Sequence, residues 1–349
     1  MDRSTLQRLP KAVLHEHLDG GLRPATILEL AEASGYDALP ETAVDALADW
    51  FDQGASGSLE RYLSSFAHTV AVMQTAPALQ RVAREAVEDL ADDGVVYAEI
   101  RFAPSLHTAE GLDRAAVLDA VLTGLEEGRQ RTGIDIGVIV DAMRHEDDSG
   151  AVAAAAVGAR DRGVVGFDLA GPEEGHPPGR HRDALEHAAA GGLRLTIHAG
   201  EAAGVESIAG ALEAGAERLG HGLRIIDDCR VEGGEIVEVG AIATRVVLGE
   251  ITLELCPSSN VGTGAVASVA DHPIEMLRRA GFPVTVNTDN RLMSRTTMTR
   301  ELALLVEDHG WDAATIRRVT DRAVDAAFCD DATRERVRRR VAEGYAGLV

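Results

Sequence analysis

Eight short runs of apolar and β-branched residues, at 12–17, 94–102, 135–141, 164–170, 193–198, 218–222, 251–256 and 283–287, recur along the chain. Helix-like stretches at 78–92, 114–131, 151–162, 182–190, 205–216 and 274–280 separate most of them. Strands spaced by helices pair in parallel, because each connection must return the chain to the same edge before the next strand begins. Eight such units predict an α/β fold, a (β/α)8 TIM barrel. An open doubly wound sheet is the competing architecture, but it would hold the first and last strands apart. Two additions to the barrel are expected. A mostly helical insertion from 24 to about 93 follows the first strand, and the tail 297–349 reads as two or three amphipathic helices, with Asp312 as an N-cap. No internal repeat or low-complexity linker interrupts the pattern, so residues 1–349 are expected to form a single catalytic domain.

At 45% hydrophobic, 349 residues can bury a substantial core. The net charge of −23 argues against nucleic acid, whose backbone calls for a basic face. No charged and apolar leader opens the chain and no apolar stretch is long enough to span a bilayer, so a cytoplasmic protein that does not engage a membrane is expected. The odd and scattered cysteines, Cys229, Cys256 and Cys329, fit reduced thiols better than a disulfide framework. The pattern leaves the oligomeric state unspecified.

Four strings fall at the ends of the first, fifth, sixth and eighth runs: His15-Glu16-His17, His198-Ala199-Gly200-Glu201, His221-Gly222 and Asp289-Asn290. In a barrel those ends converge on one mouth, where chemistry is sited. Side chains at i and i+2 of a strand share a face, so His15 and His17 can turn to one ion; His198 and Asp289 would complete an N/O set suited to zinc. Zinc held this way lowers the pKa of its bound water to about 7. Glu201, just past its strand, could shuttle a proton without binding the metal, and His221, between Gly220 and Gly222, could orient and deprotonate the water. In the insertion, Tyr62 and Phe66 have the helical spacing of core residues, with a substrate-covering role as the alternative.

The strings are parts of longer blocks: Leu9-Pro10-Lys11-Ala12, His15-Glu16-His17-Leu18-Asp19-Gly20, Gly166-Phe167-Asp168-Leu169-Ala170-Gly171, His198-Ala199-Gly200-Glu201, Leu219-Gly220-His221-Gly222, Leu253-Glu254-Leu255-Cys256-Pro257-Ser258-Ser259-Asn260 and Asn287-Thr288-Asp289. In order, and over nearly the whole chain, these resemble the adenosine deaminase family of the metal-dependent amidohydrolases. The resemblance implies hydrolytic deamination of adenosine and 2′-deoxyadenosine to inosine and 2′-deoxyinosine, with one zinc per chain on His15, His17, His198 and Asp289. It implies Glu201 as the proton shuttle to purine N1 and His221 as the base on the zinc-bound water. Substrate contacts would come from His17, from Asp19 on the ribose 5′-hydroxyl and from the Gly171 amide on N3. The implied partner is a small purine nucleoside.

Two positions depart from the family's usual pattern. Asn290 stands where a second aspartate donates to purine N7; an amide NH2 can donate there without first being protonated. Glu16 stands where an aliphatic residue is common, and the strand period turns it away from the lumen toward the surrounding helices.

Neighbouring chemistries are pruned by the same residues. The fourth run has no lysine for a carbamylated dinuclear centre, and Lys11 is the only lysine in the chain. The cytidine-deaminase signature H-x-E with P-C-x-x-C is absent, since Pro257 is followed by two serines. Asp19 disfavours a 5′-phosphate and, because adenine deaminases of the family generally carry glutamate there, free adenine. The remaining alternatives are adenine or aminofutalosine as substrate, or a non-catalytic zinc- or nucleoside-binding module, against which the retention of both Glu201 and His221 argues.

Overall fold

The computed structural model describes residues 1–348. Strands β1 (Lys11–His17), β2 (Val95–Phe102), β3 (Asp135–Met143), β4 (Val164–Ala170), β5 (Arg194–Ala199), β6 (Arg218–His221), β9 (Thr252–Leu255) and β10 (Val284–Val286) pair in parallel in that order. The eight predicted runs are these eight strands. Between β6 and β9 an antiparallel hairpin, β7 (Cys229–Glu232) and β8 (Glu235–Val239), lies outside the barrel. Its strands are short and largely exposed: Val231, Val237 and Val239 alternate around the Gly233-Gly234 turn but stay 40–47% exposed, so they mark a surface hairpin and no core face.

The seam between β10 and β1 lies at the mouth. Asp289 N–H donates to His15 O at 2.9 Å, His17 N–H donates to Asp289 O at 2.7 Å, and Glu16 and Asp289 form a parallel bridge. Lower down, the side chain of Asn287 accepts from the N–H groups of Leu14 (2.8 Å) and His15 (3.2 Å), standing in for a carbonyl the short last strand does not offer. Closure and site are therefore made by the same residues.

Helices Ala76–Asp92 and Arg114–Thr132 pack together on the outside. Gly124 permits the approach: a Cβ there would lie 2.1 Å from Gln80 O. Four helices, Pro24–Ser34, Val44–Phe51, Leu59–Ser64 and Phe66–Val72, form the insertion after β1, which ends near residue 75 and not near 93, because helix Ala76–Asp92 packs on Arg114–Thr132 as part of the outer layer. Three more, Met298–His309, Ala313–Ala326 and Asp331–Gly344, follow β10, and Asp312 caps the second by accepting from Thr315 N at 2.7 Å. No helix among the described residues is long and apolar enough to cross a membrane, and the three cysteines are free.

The lumen departs from the usual stacked layers of branched apolar residues. Glu99, Arg101, Asp141, Asp168, Arg218 and Glu254 are all buried inside the strands that carry them. They interrupt otherwise apolar runs.

Candidate active site

At the mouth, His15 Nε2 lies 3.3 Å and His17 Nε2 3.4 Å from Asp289 Oδ1, while His17 Nε2 is 3.3 Å from His198 Nε2. One ligand atom from each of these four residues falls within 4.8 Å of the others. Each imidazole turns its other nitrogen to a carboxylate: His15 Nδ1 to Glu254 at 3.0 Å, His17 Nδ1 to Asp141 at 3.4 Å and His198 Nδ1 to Asp168 at 2.8 Å. A neutral ring with its proton on Nδ1, facing the carboxylate, keeps the Nε2 lone pair free. His15 Nε2 accordingly has no hydrogen-bond partner in the protein. Three lone pairs and an anionic oxygen at these separations repel one another unless a cation lies among them, so the four residues could hold a metal ion.

The supporting carboxylates are fixed in turn. Arg101 reaches Asp168 and Glu254, each at 2.7 Å, and Arg218 Nε lies 2.7 Å from Glu254. Burial pushes the Glu254 carboxyl up, but the two guanidinium groups outweigh it and hold the group well below the ordinary carboxylate range. Sequence reasoning assigned none of these residues a role. The available signal was an ionisable residue inside an apolar run, at a register that alternation turns toward the lumen.

Glu201 and His221 meet beside the cluster, Oε2 to Nε2, at 3.6 Å. The Thr263 hydroxyl donates to Glu201 Oε1 at 3.1 Å. Burial, with the charge of Asp289 second, pushes the Glu201 carboxyl up to about 8, so it holds a proton at neutral pH; burial brings His221 down to about 4, so its ring is neutral. His221 and Asp289 adopt left-handed backbone conformations, φ 60° and 57°, costly for residues with a Cβ and found where function over-determines the chain.

Which nitrogen of His221 carries the proton follows from its neighbours. Ile274 N–H donates to His272 Nδ1 at 3.1 Å, so neutral His272 is protonated on Nε2; burial, bringing this ring down to about 3, keeps it neutral. His272 Nε2 lies 3.2 Å from Asn260 Oδ1, which accepts, and the Asn260 amide therefore donates to His221 Nδ1 at 3.1 Å. The proton of neutral His221 is thereby assigned to Nε2, toward Glu201. A ring held this way presents a donor at Nε2, whereas the sequence reading expected a base.

A cavity of about 520 Å3 opens above the cluster, lined by His17, Asp19, Gly171, His198, Glu201, His221, Asp289 and Asn290. His15 lies fully buried behind it, so all nine residues singled out in the sequence come together. Burial, with Asp289 adding, raises the Asp19 carboxyl to about 7, and Asp19 Oδ1 has no partner in the protein. Gly171 bends the chain at φ 94°, and Gly20 makes room for Asn290, whose Oδ1 lies 2.0 Å from where a Cβ would stand. Tyr62 and Phe66 both line the cavity wall, with the Tyr62 hydroxyl 2.7 Å from Ser294 Oγ. Among the described residues, no arginine or lysine lines the cavity. Glu16 faces outward, as the strand period requires, and pairs with Arg291 at 2.5 Å and with the Thr288 hydroxyl.

Residues 10–344 match the family model described as adenosine deaminase. The chain is 54% identical over 331 residues to the adenosine deaminase of Mycobacterium tuberculosis, covering 93% of this chain and 91% of that protein. It is 52% identical over 335 residues to that of Mycobacteroides abscessus, covering 94% and 92%. Its fold superposes on the crystal structure of adenine deaminase from Arthrobacter aurescens with a TM-score of 0.86 and 27% identity, covering 96% of this chain and 98% of that one. With residues 10–344 of its 349 matched by the family model and relatives above half identity, this chain belongs to the adenosine deaminase family.

Proposed function

We propose that the protein hydrolyses adenosine and 2′-deoxyadenosine to inosine and 2′-deoxyinosine with release of ammonia, using one zinc ion per chain held by His15, His17, His198 and Asp289. The observation that carries this reading is the pairing of that N3O cluster with a buried, protonated carboxyl, Glu201, in one cavity. When bound, zinc supplies a polarised water of lowered pKa. Glu201 gives its proton to purine N1 as water adds to C6, takes up the proton the water loses, and relays the new C6 hydroxyl's proton to the amine as it leaves as ammonia; the Thr263 hydroxyl on its other oxygen fixes the direction of that transfer. His221, neutral with its proton on Nε2, directs a hydrogen bond into the site and stabilises negative charge that develops on the attacking oxygen.

Asp19, Gly171 and Asn290 fix the substrate's orientation. The unpartnered Asp19 oxygen accepts the ribose 5′-hydroxyl, the Gly171 amide reaches N3, and the Asn290 amide donates to N7. The wall's lack of arginine and lysine speaks against AMP, whose phosphate would meet Asp19 without a cation, and against aminofutalosine, whose distal carboxylate needs one. Free adenine would leave the buried Asp19 oxygen without a partner. Steady-state turnover with adenosine, 2′-deoxyadenosine, adenine and AMP, alongside metal analysis of the purified protein, tests the reading. The two nucleosides should be turned over well, AMP and adenine poorly, and one zinc should be found per chain. A preference for AMP or adenine would overturn the substrate assignment.

A further inference from the structure

Three residues beyond the end of β4, Glu173 is buried and makes no contribution to the chemistry set out above. Its carboxylate accepts four consecutive backbone N–H groups: Gly200 on Oε1 at 2.5 Å, then Glu201, Ala202 and Ala203 on Oε2 at 3.1, 2.8 and 2.9 Å. Successive N–H groups converging on one anion make a backbone nest, and here the anion belongs to the chain itself. The nest leads into helix Val205–Glu213, whose N-cap, Gly204, provides no side-chain cap. The segment leaves β5 through Gly200 at φ 74°, where a Cβ would lie 2.5 Å from Ile208, so the turn leaves little room for adjustment.

We propose that Glu173 is a positioning residue: by gathering the N–H groups of residues 200–203 it sets the backbone from which Glu201 reaches His221 and the purine. This rests on Glu201 being the proton donor. The carboxylate is suited to the task. Burial pushes its pKa up, but the Ser207 hydroxyl, the Ala203 and Gly200 amides and the charge of Arg144 outweigh burial and keep Glu173 ionised. Arg144 is itself fully buried and its guanidinium nitrogens have no hydrogen-bond partner, so its charge acts on Glu173 without a direct bond. Glutamine at 173 would keep the shape, lose the charge and present an NH2 where a lone pair is needed. The N–H groups of the nest would then have fewer acceptors.

The test is a double-mutant cycle with the metal content checked for each protein. Glu173→Gln should lower kcat by about 10- to 100-fold with KM changed less than about threefold, because the acid is displaced while the substrate contacts remain. In a Glu201→Gln background, adding Glu173→Gln should change the residual kcat by less than about threefold, since a residue that acts through Glu201 has nothing left to position. Losses that multiply in full, or a Glu173→Gln enzyme within about threefold of the parent kcat, would overturn the proposal. Amide hydrogen exchange separates it from the reading it rests on: residues 200–203 should exchange at least about tenfold faster in Glu173→Gln whatever Glu201 does, and unchanged protection would overturn the positioning claim. Undiminished turnover in Glu201→Gln alone would instead remove Glu201 as the donor. If Glu173→Gln does not fold, Glu173→Asp serves in both measurements, with a smaller loss of kcat expected that is again absent in the Glu201→Gln background.

Discussion

Glu201 has to be a carboxylic acid at the pH where most carboxyls have ionised, and the structure supplies the means: burial first, then the negative charge of Asp289. Glu201→Gln should retain the metal and lose several orders of magnitude in kcat with a far smaller change in KM, measured by steady-state kinetics beside metal analysis. The sign of the pH dependence follows. The active form is protonated, so kcat/KM should fall as pH rises through the group's pKa near 8, and a bound dication, opposing the charge of Asp289, shifts that limb lower. A profile that rises through this window would contradict the assignment. At the other end of the cavity, Asp19→Ala should narrow the preference for adenosine over 5′-deoxyadenosine, because the hydroxyl's partner is then gone. His15, His17, His198, Glu201, His221 and Asp289 could be picked out because metal ligands and acids at strand ends stand out by type and spacing, whereas Asp19, Gly171 and Asn290 were given roles only by the family resemblance. The tautomer of His221 was not, since it depends on Asn260, His272 and the Ile274 amide meeting in space.

At the scale of the elements, each barrel strand was marked by its apolar run and by the helix pattern that followed it. The hairpin β7–β8 was missed although its signal was there, alternating valines on either side of Gly233-Gly234; being exposed, it adds nothing to the strand–helix pattern of the barrel. The polar lumen was missed for a different reason: Glu99, Arg101, Asp168 and Glu254 sit in strands apolar enough to identify despite them. Their pairing makes a stability prediction. Glu254→Gln leaves Arg101, Arg218 and His15 facing a neutral amide and should cost about 3–5 kcal/mol, read from denaturant midpoints. Because the folded-state pKa of Glu254 is depressed, its contribution is fully present above the unfolded value of about 4.3 and is lost as pH falls through the folded one. Glu254→Gln should therefore lose less stability on acidification than the parent protein. Outside the barrel, Gly124→Val should cost about 1–3 kcal/mol by forcing apart helices Ala76–Asp92 and Arg114–Thr132, with catalysis unchanged once folded.

Across the whole molecule, the first and last strands are joined at the point where His15, His17 and Asp289 gather, so the candidate metal site lies on the seam of the barrel. Removing the metal should lower Tm as well as abolish turnover, and restoring zinc should recover both. A closed barrel was legible from eight strand–helix units and from ligands on the first and eighth runs, which an open sheet would separate. The way the seam is closed, with the Asn287 side chain replacing a carbonyl, depends on a strand only three residues long and has no signature in the chain. Whether an N3O metal site serves a nucleoside deaminase is decided by following the absorbance change near the purine maximum when the purified protein meets adenosine, before and after exhaustive chelation and after zinc is returned. Conversion to inosine with ammonia released in equal amount is expected, lost on chelation and restored by about one zinc per chain. Full activity in the metal-free protein, or no activity on adenosine in the zinc-loaded one, would contradict it.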